Sequence, residues 1–339
     1  MSIAEYAYAN AKIRVMLSFL LDEKMLNNLV NARDVYSVLG MLKDTQYKGI
    51  IENFEKGGFN ISFLEKEFLR NEISTLKKVY SPTFPPATKA VISLLIQKYE
   101  IEEIKISLRL WNEKRISEAP LYLLNEKIWF DIDYNKIISS PDLNGIIQIL
   151  SDTPYKKPLD DAKTMFADTN SVFFLEAYLD KDYFVRLVSA IKQLSFNDKN
   201  IANRIIGAMI DMENLNWLIR AKKYYSLERE EIDRWLIKGG ILTNNDFVSV
   251  FLAGGIKSVY NVSLASLTEK NEYRLGIYLH EILAGEIKKI LSGYPFTLGI
   301  ILSYVLLKTR EIKNVISIIN AKIYNLSKEE ISMLIGQRQ

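Results

Sequence analysis

Asp211, Asn214, Arg220 and Lys222 are the residues whose types and spacing most invite a chemical reading. At 100° per residue, Asp211, Asn214 and Lys222 fall on one narrow face of a helix within residues 200–232, which reads first as an active-site helix. The pattern returns 100 residues later as Glu311, Asn314 and Lys322. A more diverged copy in Val91–Trp111 puts Glu100 at the acid position, Glu103 where the Asn stands and Arg109 where Arg220 stands. An acid and an amide at i, i+3 interact along a helix by only about 0.2–0.5 kcal/mol. The lysine lies roughly 16 Å farther along the axis, so it is no direct partner of the acid. The remaining faces are nearly all apolar (Ile205, Ile206, Met209, Trp217; Val305, Leu306, Val315, Ile318). A helix apolar almost all round is buried in a bundle. Its polar stripe therefore either makes buried structural hydrogen bonds or lines a cavity that meets a partner.

The enzyme motifs fail one by one. His280-Glu281 begins like a zinc-protease HExxH, but position 284 is alanine, and His280 is the only histidine. Gly254-Gly255-Ile256-Lys257-Ser258 resembles the end of a phosphate loop, yet Ile256 stands where a glycine is required. Asp160-Asp161 lacks the DDxxD continuation of a magnesium-binding helix. Asp131 and Asp133, two apart, point to different sides of a helix. With no cysteine there is no disulfide framework, thiolate chemistry or Cys-based metal site, which fits a reducing, intracellular compartment. A net charge of +3, from 44 basic and 41 acidic residues, gives no electrostatic case for nucleic acid. No cofactor, metal or small-molecule substrate is expected.

The elements that must hold the stripe are helices. Apolar residues recur at three- and four-residue steps from Ile3 to Ala32, a pattern of amphipathic helix and not of a signal peptide. Helices are predicted over about 62–80, 87–111 with Pro86 at the start, 143–150, 171–194, 270–292 and 297–323. The most apolar run, Tyr294–Leu307, is shorter than the roughly 20 residues a membrane span needs, so a soluble chain is expected. Few segments alternate as strands do, so the fold class is all-α.

A second motif repeats. Leu42, Asp44, Thr45 and Tyr47 return 108 residues later as Leu150, Asp152, Thr153 and Tyr155, each time followed by a linker and a long helix. A third, looser copy ends at Tyr260. Together the repeats predict three similar helical domains, residues 1–118, 119–232 and 233–339.

The segments YAYANAKIRVMLSFLL, the two Leu-Asp-Thr-Tyr turns, IDMENLNWLIRAKKY and the closing PFTLGIILSYVLLKTREIKNVISIINAKIYNLSKEEI cover the length of the chain. In these the chain resembles the C-type subunits of the V/A-type rotary ATPases (ATP synthases), whose eukaryotic homologue is the d-type subunit of the V-type ATPase. The resemblance implies three helical domains about a pseudo-threefold axis, forming a funnel. It implies a non-catalytic rotor protein of the central stalk, one copy per complex. Such a protein caps the proteolipid rotor ring, receives the D- and F-type shaft subunits and transmits torque for proton or sodium transport. It would sit peripherally on the cytoplasmic side of the membrane. Glu100, Arg109, Asp211, Asn214, Arg220, Lys222, Glu311, Asn314 and Lys322 would then be socket-lining or framework positions. The alternative is a helical scaffold for unrelated proteins, which a period near 110 residues disfavours, because solenoid repeats run about 20–50.

Overall fold

Short polar side chains decide where the helices begin. The computed structural model of the chain describes residues 3–57, 60–81, 84–224, 236–242, 255–257, 263–265 and 283–336. Within these, side chains are described from Tyr6 onward, except those of 218–224, 255–257 and 263–265. The single pattern expected over Ile3–Ala32 is broken into α1 (Ile3–Ser18) and α2 (Glu23–Asn31), because Asp22 accepts the Met25 N–H and caps a new helix. Asp34 opens α3 (Val35–Leu42) in the same way, and α4 (Lys48–Lys56) follows the first tyrosine turn. Asn60 caps α5 (Ile61–Val79), and Pro86 occupies the first turn of α6 (Pro86–Asn112) as predicted. After α7 (Ala119–Tyr122), Asp133 and Asp142 cap α8 (Tyr134–Ile138) and α9 (Leu143–Ile149).

The stretch after the second tyrosine turn, read from the sequence as a linker, is helix α10 (Lys156–Thr169). Only Pro158, Leu159 and Ala162 bury there, so few apolar residues mark this mostly polar stretch as a helix. Then come α11 (Val172–Lys192) and α12 (Phe196–Tyr224). A short antiparallel ribbon, Gly255–Lys257 against Ser263–Ala265, is the sole strand pairing among the described residues, and it contains part of the phosphate-loop-like stretch. Helix α13 (283–292) leads to α14 (Leu298–Ile323), and Ser327 with Glu330 forms a capping box on α15 (Lys328–Leu334). Among the described residues the fold is all-α apart from the ribbon.

The first turns of the three long helices α6, α12 and α14 converge. Asp198 of α12 accepts the Leu298 N–H at the start of α14 (2.7 Å), the Tyr6 hydroxyl of α1 (3.1 Å) and the Ser195 hydroxyl (2.9 Å). Tyr6 also meets Thr88 of α6 at 3.1 Å. From this apex the helices run into different surroundings. Ile312, Val315, Ile318, Ile319 and Ala321 of α14, with Ile331 and Ile335, complete a core otherwise built by α2–α5. The far half of α6 packs with α8 and α11 in a second, larger core. Fully burying one Leu or Ile side chain contributes about 1.5–3 kcal/mol, so the long helix entering each core supplies a large part of its stabilisation.

Candidate functional site: acid latches on the long helices

The two sequence repeats meet in space. In the first tyrosine turn the Thr45 hydroxyl donates to the Leu42 carbonyl at 2.6 Å, and the Tyr47 N–H donates to Thr45 Oγ1 at 3.2 Å. The second turn copies this with Thr153 to Leu150 at 2.8 Å and Tyr155 N–H to Thr153 Oγ1 at 3.2 Å. The threonine thus closes the turn with its own hydroxyl and aims the next tyrosine inward. Both rings are fully buried, and both hydroxyls donate to the repeat acid of a long helix. Tyr155 donates to Glu100 of α6 at 2.7 Å, and Tyr47 donates to Glu311 of α14.

Each acid also holds backbone amides of the segment that enters the helical bundle. Glu100 accepts Trp129 N–H (2.9 Å) and Phe130 N–H (2.8 Å), while Glu103 accepts Leu124 N–H (2.9 Å). Glu311 accepts the Leu21 N–H and the Gln46 side-chain amide (3.1 Å). Asp211 accepts Ile241 N–H (3.0 Å) and Leu242 N–H (3.1 Å), and Asn214 pairs with both backbone groups of Ile237 (2.8 and 3.0 Å). A buried carboxylate is tolerable only when so satisfied. Burial pushes the Glu100 carboxyl above the usual range, against the hydrogen bonds of Tyr155, Trp129 and Phe130, which favour its charge. Burial pushes Glu103 up to about 7, only partly countered by its backbone donors. Burial and then the adjacent acid raise both tyrosines well above their ordinary value, so they remain protonated donors.

The other predicted positions are less uniform. Lys322 donates to the Val30 and Ala32 carbonyls, each at 2.7 Å, satisfying the end of α2. Arg109 pairs with Glu176 of α11. Asn314 is half-buried, unlike the fully enclosed Asn214. The side chains of Arg220 and Lys222, with His280 and Tyr260, lie outside the described residues. Asp160 and Asp161 pair with Lys163 (2.7 Å) and Lys157 (2.8 Å) on the surface of α10. Among the described residues no group of three or more His, Cys, Asp or Glu side chains could hold a metal ion.

Sequence reasoning misses a fully enclosed cation. Lys308 is fully buried, donates to Tyr47 Oη at 2.7 Å and to Glu311 at 3.2 Å, and lies 4.4 Å from the Tyr47 ring centroid. Burial draws its pKa below the usual lysine range, opposed by the Glu311 charge. The equivalent positions, three residues before each acid, are Gln97 and Ala208, so no repeat marks it. Between α6 and α11 a further ion-pair cluster forms, with Asp180 receiving Lys98 (3.0 Å) and Lys105 (2.9 Å). The arrangement is one of fixation: the acids are held by protein donors, and helices are pinned to loops.

Known proteins share this sequence over nearly its whole length. The chain is 27% identical to the C subunit of the A-type ATP synthase of Methanocaldococcus jannaschii, covering 98% of this chain and 86% of that one. It is 24% identical to the corresponding A-type ATP synthase C subunit of Thermococcus kodakarensis, covering 98% and 90%. It is 25% identical to that of Methanococcoides burtonii, covering 97% and 94%. Among the described residues no helix is long and apolar enough to cross a membrane. The family model of the ATP synthase (C/AC39) subunit matches residues 9–334, and the chain belongs to that family.

Proposed function

We propose that the chain is the non-catalytic central-stalk component of a V/A-type rotary ATPase. It is the socket that joins the shaft of the soluble head to the membrane rotor ring and carries torque between them. The observation that carries this reading is the way the ends of the chain are tied together. The last long helix, α14, completes the core of α2–α5, with Glu311 and Tyr47 bonded across 264 residues of sequence. A body closed on itself resists twisting better than an open row of domains, and dense packing is stiff. Convergence of α6, α12 and α14 at Asp198, with divergence beyond it, fits a funnel of three units, 1–118, 119–232 and 233–339, about a pseudo-threefold axis. On this reading the repeat positions Glu100, Asp211 and Glu311 are framework residues, and Arg109, Asn214, Arg220, Lys222, Asn314 and Lys322 support them or edge the socket.

The partners are then the shaft subunits and the proteolipid ring, and the protein sits peripherally on the cytoplasmic face. The test is a pull-down of the tagged full chain from detergent-extracted membranes, alongside an ATPase assay of the isolated chain. Shaft and ring subunits should co-purify, and the isolated chain should hydrolyse no ATP. Robust hydrolysis by the chain alone, or retention of helical partners without any ring subunit, would contradict the proposal, and the latter would favour a generic scaffold.

A further inference from the structure

The apex concentrates positive charge. Residues 77–90, 192–200 and 288–298 lead into the three long helices, and together they hold seven lysines against one acid, the buried Asp198; of these, Lys289 pairs with Glu286 at 2.7 Å and Lys77 donates to the Lys127 carbonyl at 3.1 Å. The chain as a whole is only +3, so the rest of it is net negative. Lysines near the ends of α5, α11 and α13 are partly explained by helix dipoles, which favour cations at C-termini. Lys199 has no such explanation. It is the fourth residue of α12, where the dipole disfavours a cation. Beside these cations two aromatic rings stand in solvent: Phe196 is 78% exposed and Tyr294 60% exposed.

We infer that this apex is a docking face for anionic phospholipid headgroups. Cations dispersed over three turns, with an exposed aromatic ring on two of them, match the composition of a membrane interface, where lysines meet headgroup charge and aromatic rings sit at the headgroup level. A protein partner would ask instead for a contiguous apolar core depleted of lysine. The inference is independent of the stalk reading, since it concerns only the charge and shape of this end.

Flotation of the full chain with vesicles tests it, using phosphatidylcholine alone and phosphatidylcholine with phosphatidylglycerol added. The wild type should float only with the anionic vesicles and should be released by salt. The triple variant K192E/K199E/K288E should partition at least about tenfold less, as expected when each basic residue adds of order 1 kcal/mol near a charged bilayer. F196S/Y294S should weaken binding while leaving its salt dependence in place. K48E/K136E/K157E, an equal charge change at exposed sites outside the apex, should behave as wild type. A wild type that ignores anionic vesicles, or floats equally with neutral ones, overturns the inference. So does an apex triple variant that matches the control. If the apex variants lose a protein from membrane extracts while the wild type ignores vesicles, the face meets a protein and the lipid assignment is wrong. Should the triple variant fail to fold by circular dichroism, the aromatic variant and the wild-type salt titration still decide.

Discussion

Glu100 in α6 and Glu311 in α14 stand at the same repeat position and hold the same kind of tyrosine, yet they are neutralised differently. Around Glu100 every direct donor is neutral: the Tyr155 hydroxyl and the Trp129 and Phe130 amides. The cation near Tyr155 is Arg186 of α11, 5.6 Å from the ring centroid and bonded to Gln97 at 2.9 Å. Around Glu311 the cation is Lys308, brought by the inserted helix itself and fully buried. Both latches place a positive charge over the tyrosine, but from opposite partners. The latch that spans a local loop uses neutral donors; the one that ties the two ends of the chain together uses a buried ion pair. A buried ion pair contributes little net stability against an apolar substitute but is costly to break on one side, so it penalises every misplacement of α14. The repeat thus keeps its geometry and lets the charge balance vary.

That asymmetry can be broken experimentally. The largest effect expected is for Lys308→Met, which leaves Glu311 buried without its cation and should cost about 3–5 kcal/mol in chemical denaturation. Combining it with Glu311→Gln, which removes the unpaired charge and keeps an acceptor for the Tyr47 hydroxyl, should recover part of that loss; a double variant as unstable as the single one would mean that the pair is not the source. Next comes pH. Glu103 has no acidic counterpart in the α14 latch, where Asn314 stands in its place. Its folded pKa of about 7 lies above the ordinary 4.5, so its contribution is fully present below about pH 4.5 and is lost as pH rises through 7. Glu103→Gln should therefore remove up to about 3 kcal/mol of pH dependence between pH 4.5 and 8 and leave the variant the more stable above pH 7. Parallel stability curves for wild type and variant would refute this.

Smaller effects sharpen the contrast. Tyr155→Phe leaves Glu100 its two amides and should cost about 1–2 kcal/mol. Tyr47→Phe removes a donor to Glu311 and an acceptor for Lys308 at once, so its melting-temperature loss should be the larger; equal losses would erase the distinction between the latches. Least is expected from Arg115→Ala, whose pairs with Glu113 and Glu118 are solvent-exposed: its melting temperature should match that of the wild type.

Much of the frame was legible in the residues. Pro86, Asp142 and the apolar periodicity of the long helices announce elements within a residue or two of those observed. The acid repeat and the tyrosine-turn repeat were both visible, and each proved to be half of one contact. Their meeting was not visible, because Tyr47 and Glu311 are 264 residues apart and no local pattern encodes which turn receives which helix. Lys308 was hidden for another reason: a buried lysine in an apolar helix reads as a surface residue until the Tyr47 ring is seen beneath it. Helix α10 escaped because its buried face is only three small or medium side chains wide. The ribbon at Gly255–Lys257 is too short to show alternation.

The central claim is that α14 closes the body by completing the N-terminal bundle. Hydrogen–deuterium exchange on the full-length Lys308→Met variant tests it most directly. Faster exchange should appear together in residues 23–79 and 298–335, while 134–192, which hold the neighbouring latch of Glu100, keep wild-type protection. Loosening confined to the turn around residue 308, with residues 23–79 unchanged, would contradict it.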